Sequence, residues 1–224
     1  MVVSVKDIVK MQVTPEMIER ASYTARRKAP NLANTWQERN IFRKYTDLYP
    51  GDLAALAVET YLKDRVPKII NYDVYRVESG IDPGFKRPAK WDLLVCNKFY
   101  IEVKSSLEKE FDTSNIEEII KERRIMCYPK REVQIHVQVY YVLEDPSLCV
   151  TIETSEFQSY DESDNLLQKL DTAYIMAWAT RKDLGGAEVV ELVGLTPIEV
   201  PRNYRNLYIC QGRPVDKLPE ALTC

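Results

Sequence analysis

The chain has 224 residues, 45% of them hydrophobic and 29% charged, with a formal net charge of −3. That length supports one compact domain with a full core, or a domain with a small appendage, and the slight negative charge argues against a generic polyanion binder. A single histidine, His136, and five dispersed cysteines with no CxxC pair argue against multi-histidine metal sites, His-based triads, zinc knuckles and a disulfide framework. Any metal must then rely on carboxylates, which favours hard cations such as Mg²⁺.

No apolar run reaches the roughly 18 residues of a membrane span. The opening residues, Met1-Val2-Val3-Ser4-Val5-Lys6-Asp7, lack the basic, apolar and small-residue regions of a signal peptide. The expectation is a cytoplasmic protein. Basic residues cluster at Arg26-Arg27-Lys28, at Lys86-Arg87 with Lys90, at Lys121 with Arg123-Arg124, and at Lys130-Arg131.

In chain order, Thr14-Pro15-Glu16 predicts a helix capped by Thr14, with Pro15 in its first position. A second helix is expected after Pro50-Gly51, capped by Asp52 and running through 54–63 until Pro67. Residues 68–77, rich in Ile, Tyr and Val, read as a strand. The stretch 80–88, broken by Gly80, Pro83, Gly84 and Pro88, reads as a loop. Residues 91–95 and 99–104 read as two short strands. Ser114-Asn115-Ile116-Glu117 has the form of a capping box, opening a helix to about Met126. Residues 133–143 give the clearest strand, with Val133, Ile135, Val137, Val139 and Tyr141 on one face. Beyond 145, residues 166–180 look like an amphipathic helix, and 187–193 and 198–200 like short strands. The order over 52–143 is helix, three strands, helix, strand.

Within that order, Trp91-Asp92-Leu93-Leu94-Val95 precedes Tyr100-Ile101-Glu102-Val103-Lys104. Side chains alternate along a strand, so Glu102 and Lys104 share one face while Ile101 and Val103 share the other. A hairpin turning through 96–98 pairs residues whose numbers sum to 194, which sets Asp92 opposite Glu102. A two-residue turn would set Asp92 against Val103 and mix a carboxylate into the apolar face, so the hydrophobic pattern selects the first register. Opposed side chains have Cβ atoms about 4.5–5.5 Å apart, where like charges repel. A cation between them, or a proton on one, relieves the repulsion.

Asp92, nine intervening residues, then Glu102-Val103-Lys104, set in this order of elements, resemble the PD-(D/E)xK nuclease superfamily. That superfamily includes many type II restriction endonucleases and the archaeal-type Holliday junction resolvases. Trp91 stands where the motif's proline would be. The resemblance implies an α/β fold (mixed α+β) with a restriction-endonuclease-like α-β-β-β-α-β core, its central mixed sheet flanked by helices. Residues 52–143 would form that core, 1–51 a helical region packed on it, and 144–224 an extension for recognition or dimerisation. It also implies Mg²⁺, with Mn²⁺ as a substitute, held by Asp92 and Glu102, with Lys104 completing the catalytic cluster. Glu59 matches the position of a helix glutamate that often joins the site, and it falls on a largely apolar stripe with Ala55 and Leu62. Gln138, sharing a strand face with His136, is a lesser candidate.

For substrate contacts, Lys86, Arg87 and Lys90 lead directly into Asp92, with Arg123 and Arg124 as weaker candidates. The expected activity is Mg²⁺-dependent hydrolysis of duplex DNA by a homodimer of restriction-enzyme type. The alternatives are a structure-selective repair or recombination nuclease and a non-catalytic nucleic-acid-binding protein on the same fold.

Overall fold

The computed structural model describes residues 2–32, 39–128, 130, 132–192 and 202–223. In chain order its strands and helices are β1 (Val9–Gln12), α1 (Pro15–Lys28), α2 (Ile41–Lys63), β2 (Ile69–Asn71), α3 (Tyr72–Glu78), β3 (Leu93–Val95), β4 (Phe99–Leu107), α4 (Ile116–Glu122), β5 (Arg124–Cys127), β6 (Ile135–Tyr141), α5 (Pro146–Thr154), α6 (Tyr160–Leu167), β7 (Thr172–Thr180), α7 (Arg181–Gly185), β8 (Glu188–Leu192), β9 (Arg202–Tyr208) and α8 (Leu218–Ala221).

Six strands form one mixed sheet in the order β1-β7-β6-β4-β3-β2. Only β4 and β6 run parallel; the other pairs are antiparallel. β5, β9 and β8 form a second, antiparallel sheet. A parallel pair needs a crossover, and α4 with β5 lies in the connection between β4 and β6. The large sheet is covered on both faces. Alternate residues of β6 (Ile135, Val137, Val139, Tyr141) join a core with α1 and α2, whereas Tyr140 and Val142 join a second core with Ile119, Ile120 and Ile125.

Thr14 caps α1 as its sequence predicts, its Oγ1 accepting the Met17 N–H at 3.3 Å. Several other expectations are corrected. The helix foreseen from Asp52 begins at Ile41, capped by Asn40, and carries Pro50 inside it. Proline there removes the ladder donor to the Thr46 carbonyl, and the Pro50 carbonyl accepts from Tyr141 Oη at 3.0 Å. The strand foreseen over 68–77 ends at Asn71, whose side chain accepts the Asp73 N–H at 3.0 Å and starts α3. The helix at 114–126 is Ile116–Glu122, capped by Asn115 with no side-chain hydrogen bond, and Arg124–Cys127 is a strand. Residues 166–180 hold the end of α6 and all of β7, not one helix. The strand over 187–193 is found as β8; residues 198–200 lie outside the described residues.

Candidate active site

The hairpin of β3 and β4 has the register that its hydrophobic pattern selects: Leu93 opposes Ile101, Leu94 opposes Tyr100 and Val95 opposes Phe99. Cys96 and Asn97 both turn with φ 53°, the left-handed geometry that a tight hairpin requires. Cys96 is disulfide-bonded, whereas Cys127, Cys149 and Cys210 are free. The turn sets Cys96 Sγ 3.6 Å from the Leu222 carbonyl, a meeting of distant segments that cysteine spacing does not report.

Asp92 stands just before β3. Its N–H donates to the Ile101 carbonyl at 2.9 Å and its carbonyl accepts from Tyr72 at the same distance. Trp91, buried beside it, contacts the Tyr72 and Tyr100 rings at centroid distances of 4.6 and 5.5 Å. The carboxylate turns back over the hairpin, and its Oδ2 accepts the Val103 N–H at 2.7 Å. Glu102, one residue earlier on β4, is buried, and Lys104 Nζ lies 2.6 Å from its Oε1.

Asp92, Glu102 and Lys104 therefore line one cleft of about 540 Å³, together with Lys28, Arg76, Lys86, Arg87 and Lys130. Lys130, on the segment before β6, places Nζ 3.0 Å from the same Glu102 Oε1. In the parallel β4–β6 register, Glu102 sits beside His136 and Lys104 beside Gln138. His136 Nδ1 lies 3.6 Å from Glu102 Oε2, beyond hydrogen-bond reach, and both atoms are buried without a partner. Gln138 Nε2 donates to Ser106 Oγ at 3.2 Å and to the Val139 carbonyl at 3.1 Å.

Electrostatics separate the two acids. Burial raises the Asp92 carboxyl, helped by neighbouring Glu102 and opposed by the Val103 N–H. Burial also pushes Glu102 up, but the ammoniums of Lys104 and Lys130 outweigh it, and the carboxyl ends below its ordinary value. Burial lowers Lys104, yet Glu102 and Asp92 more than compensate, so its ammonium is held above the ordinary range. Lys104 is therefore an ammonium at neutral pH and pairs with Glu102 as a charged donor. Burial drives His136 down to about 4, against the pull of Glu102.

The loop after α3 carries the basic side chains, and buried charges hold it. Arg76, 2% exposed, pairs with Asp73 at 2.8 Å, lies 3.7 Å from Asp82 and donates to the Arg87 carbonyl at 2.8 Å. Its guanidinium stacks over the Phe85 ring at 4.2 Å. Asp82 accepts the N–H groups of Lys86 and Arg87, each at 2.9 Å. Behind this, Lys28 bridges Asp52 and Asp73. Burial raises Asp52 to about 7, opposed by Lys28 and reinforced by the charges of Asp73 and Asp92.

Not every sequence candidate meets here. Glu59 accepts from Asn71 Nδ2 at 2.8 Å and lies 3.6 Å from Arg20, away from the residues lining the cleft. Asp52 is the α2 acid whose charge reaches Asp92. Lys90 is exposed and outside the lining. Arg123 is committed to Glu108 and Glu110, and Arg124 to Tyr208 and Glu188. Sequence reading gave Lys130, Arg76 and Lys28 no role in the site. Their only signal was membership of basic clusters or of the first strand-like stretch.

The donor set suits a hard cation that keeps its waters. Glu102 Oε2 is a buried, unpartnered oxygen, and Asp92 shares its cleft; Mg²⁺ needs only one or two carboxylates. Among the described residues no group of three or more His, Cys, Asp or Glu side chains is assembled as a protein-only cage. No helix among them is long and apolar enough to cross a membrane. Comparison with protein-family models, curated proteins and solved structures finds no match.

Proposed function

We propose that the protein is a Mg²⁺-dependent nuclease that hydrolyses phosphodiester bonds of duplex DNA, a restriction-endonuclease-like enzyme acting as a homodimer. The observation that supports this most is the meeting of Asp92, Glu102 and Lys104 in one cleft whose rim carries Lys86 and Arg87. The succession α2, β2, α3, β3, β4, α4, β5, β6, with β4 parallel to β6, supports the reading in that a helix, strands, a helix and a strand follow in the expected order, with α3 and β5 interposed.

A divalent cation held by Asp92 and Glu102, Mg²⁺ or Mn²⁺, would polarise a phosphate oxygen and acidify a bound water. The chain's own groups do the rest. Lys104, fixed as an ammonium by Glu102, donates toward the charge that grows on the phosphate as water adds and one P–O bond breaks. Lys86 and Arg87, exposed on a loop pinned from beneath, grip flanking phosphates. The products are a phosphate monoester and a free hydroxyl.

The test is nicking of supercoiled plasmid in Mg²⁺. The wild type should relax the plasmid and lose this activity in EDTA, and Lys104→Ala should be slower by about 10²–10³-fold, the usual loss for one such donor. Equal background from both proteins rejects the enzyme. A second reading, a non-catalytic nucleic-acid-binding protein, is favoured by the double ion pairing of Glu102 with Lys104 and Lys130. Duplex binding without nicking would select it.

A further inference from the structure

Two ammoniums converge on one carboxylate oxygen: Lys104 Nζ lies 2.6 Å from Glu102 Oε1, and Lys130 Nζ lies 3.0 Å from it. One of them suffices to pair with Glu102, which leaves the other only the longer-range pull of Asp92. Neither lysine is sealed in, since their side chains are 35% and 33% exposed while that of Glu102 is 3% exposed. Lys130 also reaches the Ala89 carbonyl at 3.4 Å, on the loop that carries Lys86 and Arg87.

The other charges around the cleft sharpen the point. Lys28 is spent on Asp52 and Asp73, and Arg76 on Asp73 and Asp82. Those two cations face three acids, so Lys86, Arg87, Lys104 and Lys130 stand against Asp92, Glu102 and the one carboxylate left over, four against three. A chain of net charge −3 thus carries a locally positive cleft. Such a cleft concentrates field lines toward an anion. The two lysines are not equivalent, because Lys104 is fixed on β4 two residues from Glu102, whereas Lys130 approaches from a separate segment.

We propose that Lys130 is a phosphate-binding residue of the cleft, exchanging Glu102 Oε1 for an oxygen of the nucleic-acid backbone. The exchange leaves no buried acid unpaired, because Lys104 stays on the same oxygen. This adds a residue to the nuclease reading and rests on it only for the identity of the polyanion. It requires neither metal nor cleavage.

The experiment measures binding of a fluorescein-labelled 30-base-pair duplex to the full chain in EDTA, across a KCl series. Each phosphate contact contributes about 0.9 to the slope of log affinity against log salt. Lys130→Ala should therefore lower the magnitude of the slope by about one and weaken binding about fivefold near 0.15 M salt. Lys130→Arg, which keeps the charge and the reach, should restore both. Lys121→Ala, removing an exposed lysine paired on α4 with Glu117 and Glu118, should change neither. An unchanged slope in Lys130→Ala, an equal loss in Lys130→Arg, or no duplex binding by the wild type overturns the proposal. Plasmid nicking is read separately, so binding that depends on Lys130 without cleavage would reject the nuclease and leave this assignment standing.

Discussion

His136 is a titratable side chain that burial holds neutral against a neighbouring acid, Glu102. It is 1% exposed, and its Nδ1 has no partner. Its pKa falls from an ordinary 6.5 to about 4. Below pH 6.5 the unfolded chain takes up a proton that the native state refuses, so stability is lost as pH falls from about 6.5 through 4. The loss should reach about 3 kcal/mol by pH 4. Asp52 works the other way: raised to about 7, it favours the native state as pH falls. The His136 contribution therefore appears in the difference between wild type and His136→Gln, measured by urea unfolding of metal-free protein at pH 7 and pH 4. A difference independent of pH would contradict it. At this scale the sequence showed the residues whose neighbours lie on the same hairpin. Glu102 and Lys104 follow from strand alternation, and Asp92 from register. Lys130, Lys28 and Arg76 reach the cleft through chain crossings that no local period encodes. For Glu59, spacing on one helix sets a stripe and not the partners it meets, which here are Arg20 and Asn71.

The basic loop of residues 79–90 is held less by regular structure than by side chains, Asp82 accepting two of its N–H groups, Arg27 and Asn31 donating to its carbonyls, and the buried guanidinium of Arg76 beneath it. Arg76 binds the Arg87 carbonyl, pairs with Asp73 and underlies Phe85, which itself sits at φ 52°. A phenylalanine in that left-handed region persists only if its surroundings hold it. Arg76→Ala leaves Asp73 and Asp82 short of a cation, and removing one partner of a buried pair costs about 3 kcal/mol. The expected result is a lower urea midpoint together with rapid tryptic cleavage after Lys86 or Lys90. Unchanged midpoint and cleavage would show that the loop is held by something else. Elements were legible where one face is wet or a turn is marked, as in α1 and the β3–β4 hairpin, and in β6, buried on both faces, through its run of alternating β-branched residues. They were misread where composition and tertiary contact disagree. Residues 72–78 are rich in strand formers, yet the Asn71 cap and the buried Arg76 favour a helix. Pro50 suggested a boundary, but α2 runs through it, and Tyr141 satisfies the carbonyl beside the interruption.

The large sheet is finished by both ends of the chain, β1 from the first residues and β7 from the last third. β7 lies between β1 and β6, buried in eight of its nine residues. Its Ala173, Ile175 and Trp178 enter the core shared with α2, and its Tyr174, Met176, Ala177 and Ala179 enter the other. A strand buried on both faces has no period-two signal and reads as a continuous apolar run, which is why Thr172–Thr180 passed for part of a helix. The segment after β7 adds Val215, Leu218 and Leu222 to the first core, while Trp178 Nε1 donates to the Pro214 carbonyl at 2.7 Å. The segment after residue 143 thus contributes β7 to the sheet that carries Glu102 and Lys104, since β6, the neighbour of β4, has β7 as its other partner. A chain cut after residue 143 loses cover on both faces of β6. Each large apolar side chain of β7 that goes unburied forfeits about 1.5–3 kcal/mol, and several such losses exceed the 5–15 kcal/mol by which domains are typically stable. Residues 1–143 alone should therefore give no cooperative urea transition and poorly dispersed amide resonances, whereas the full chain should unfold in one step. A fragment that folds and unfolds cooperatively would mean that the nuclease-like segment is autonomous and that β7 only decorates it.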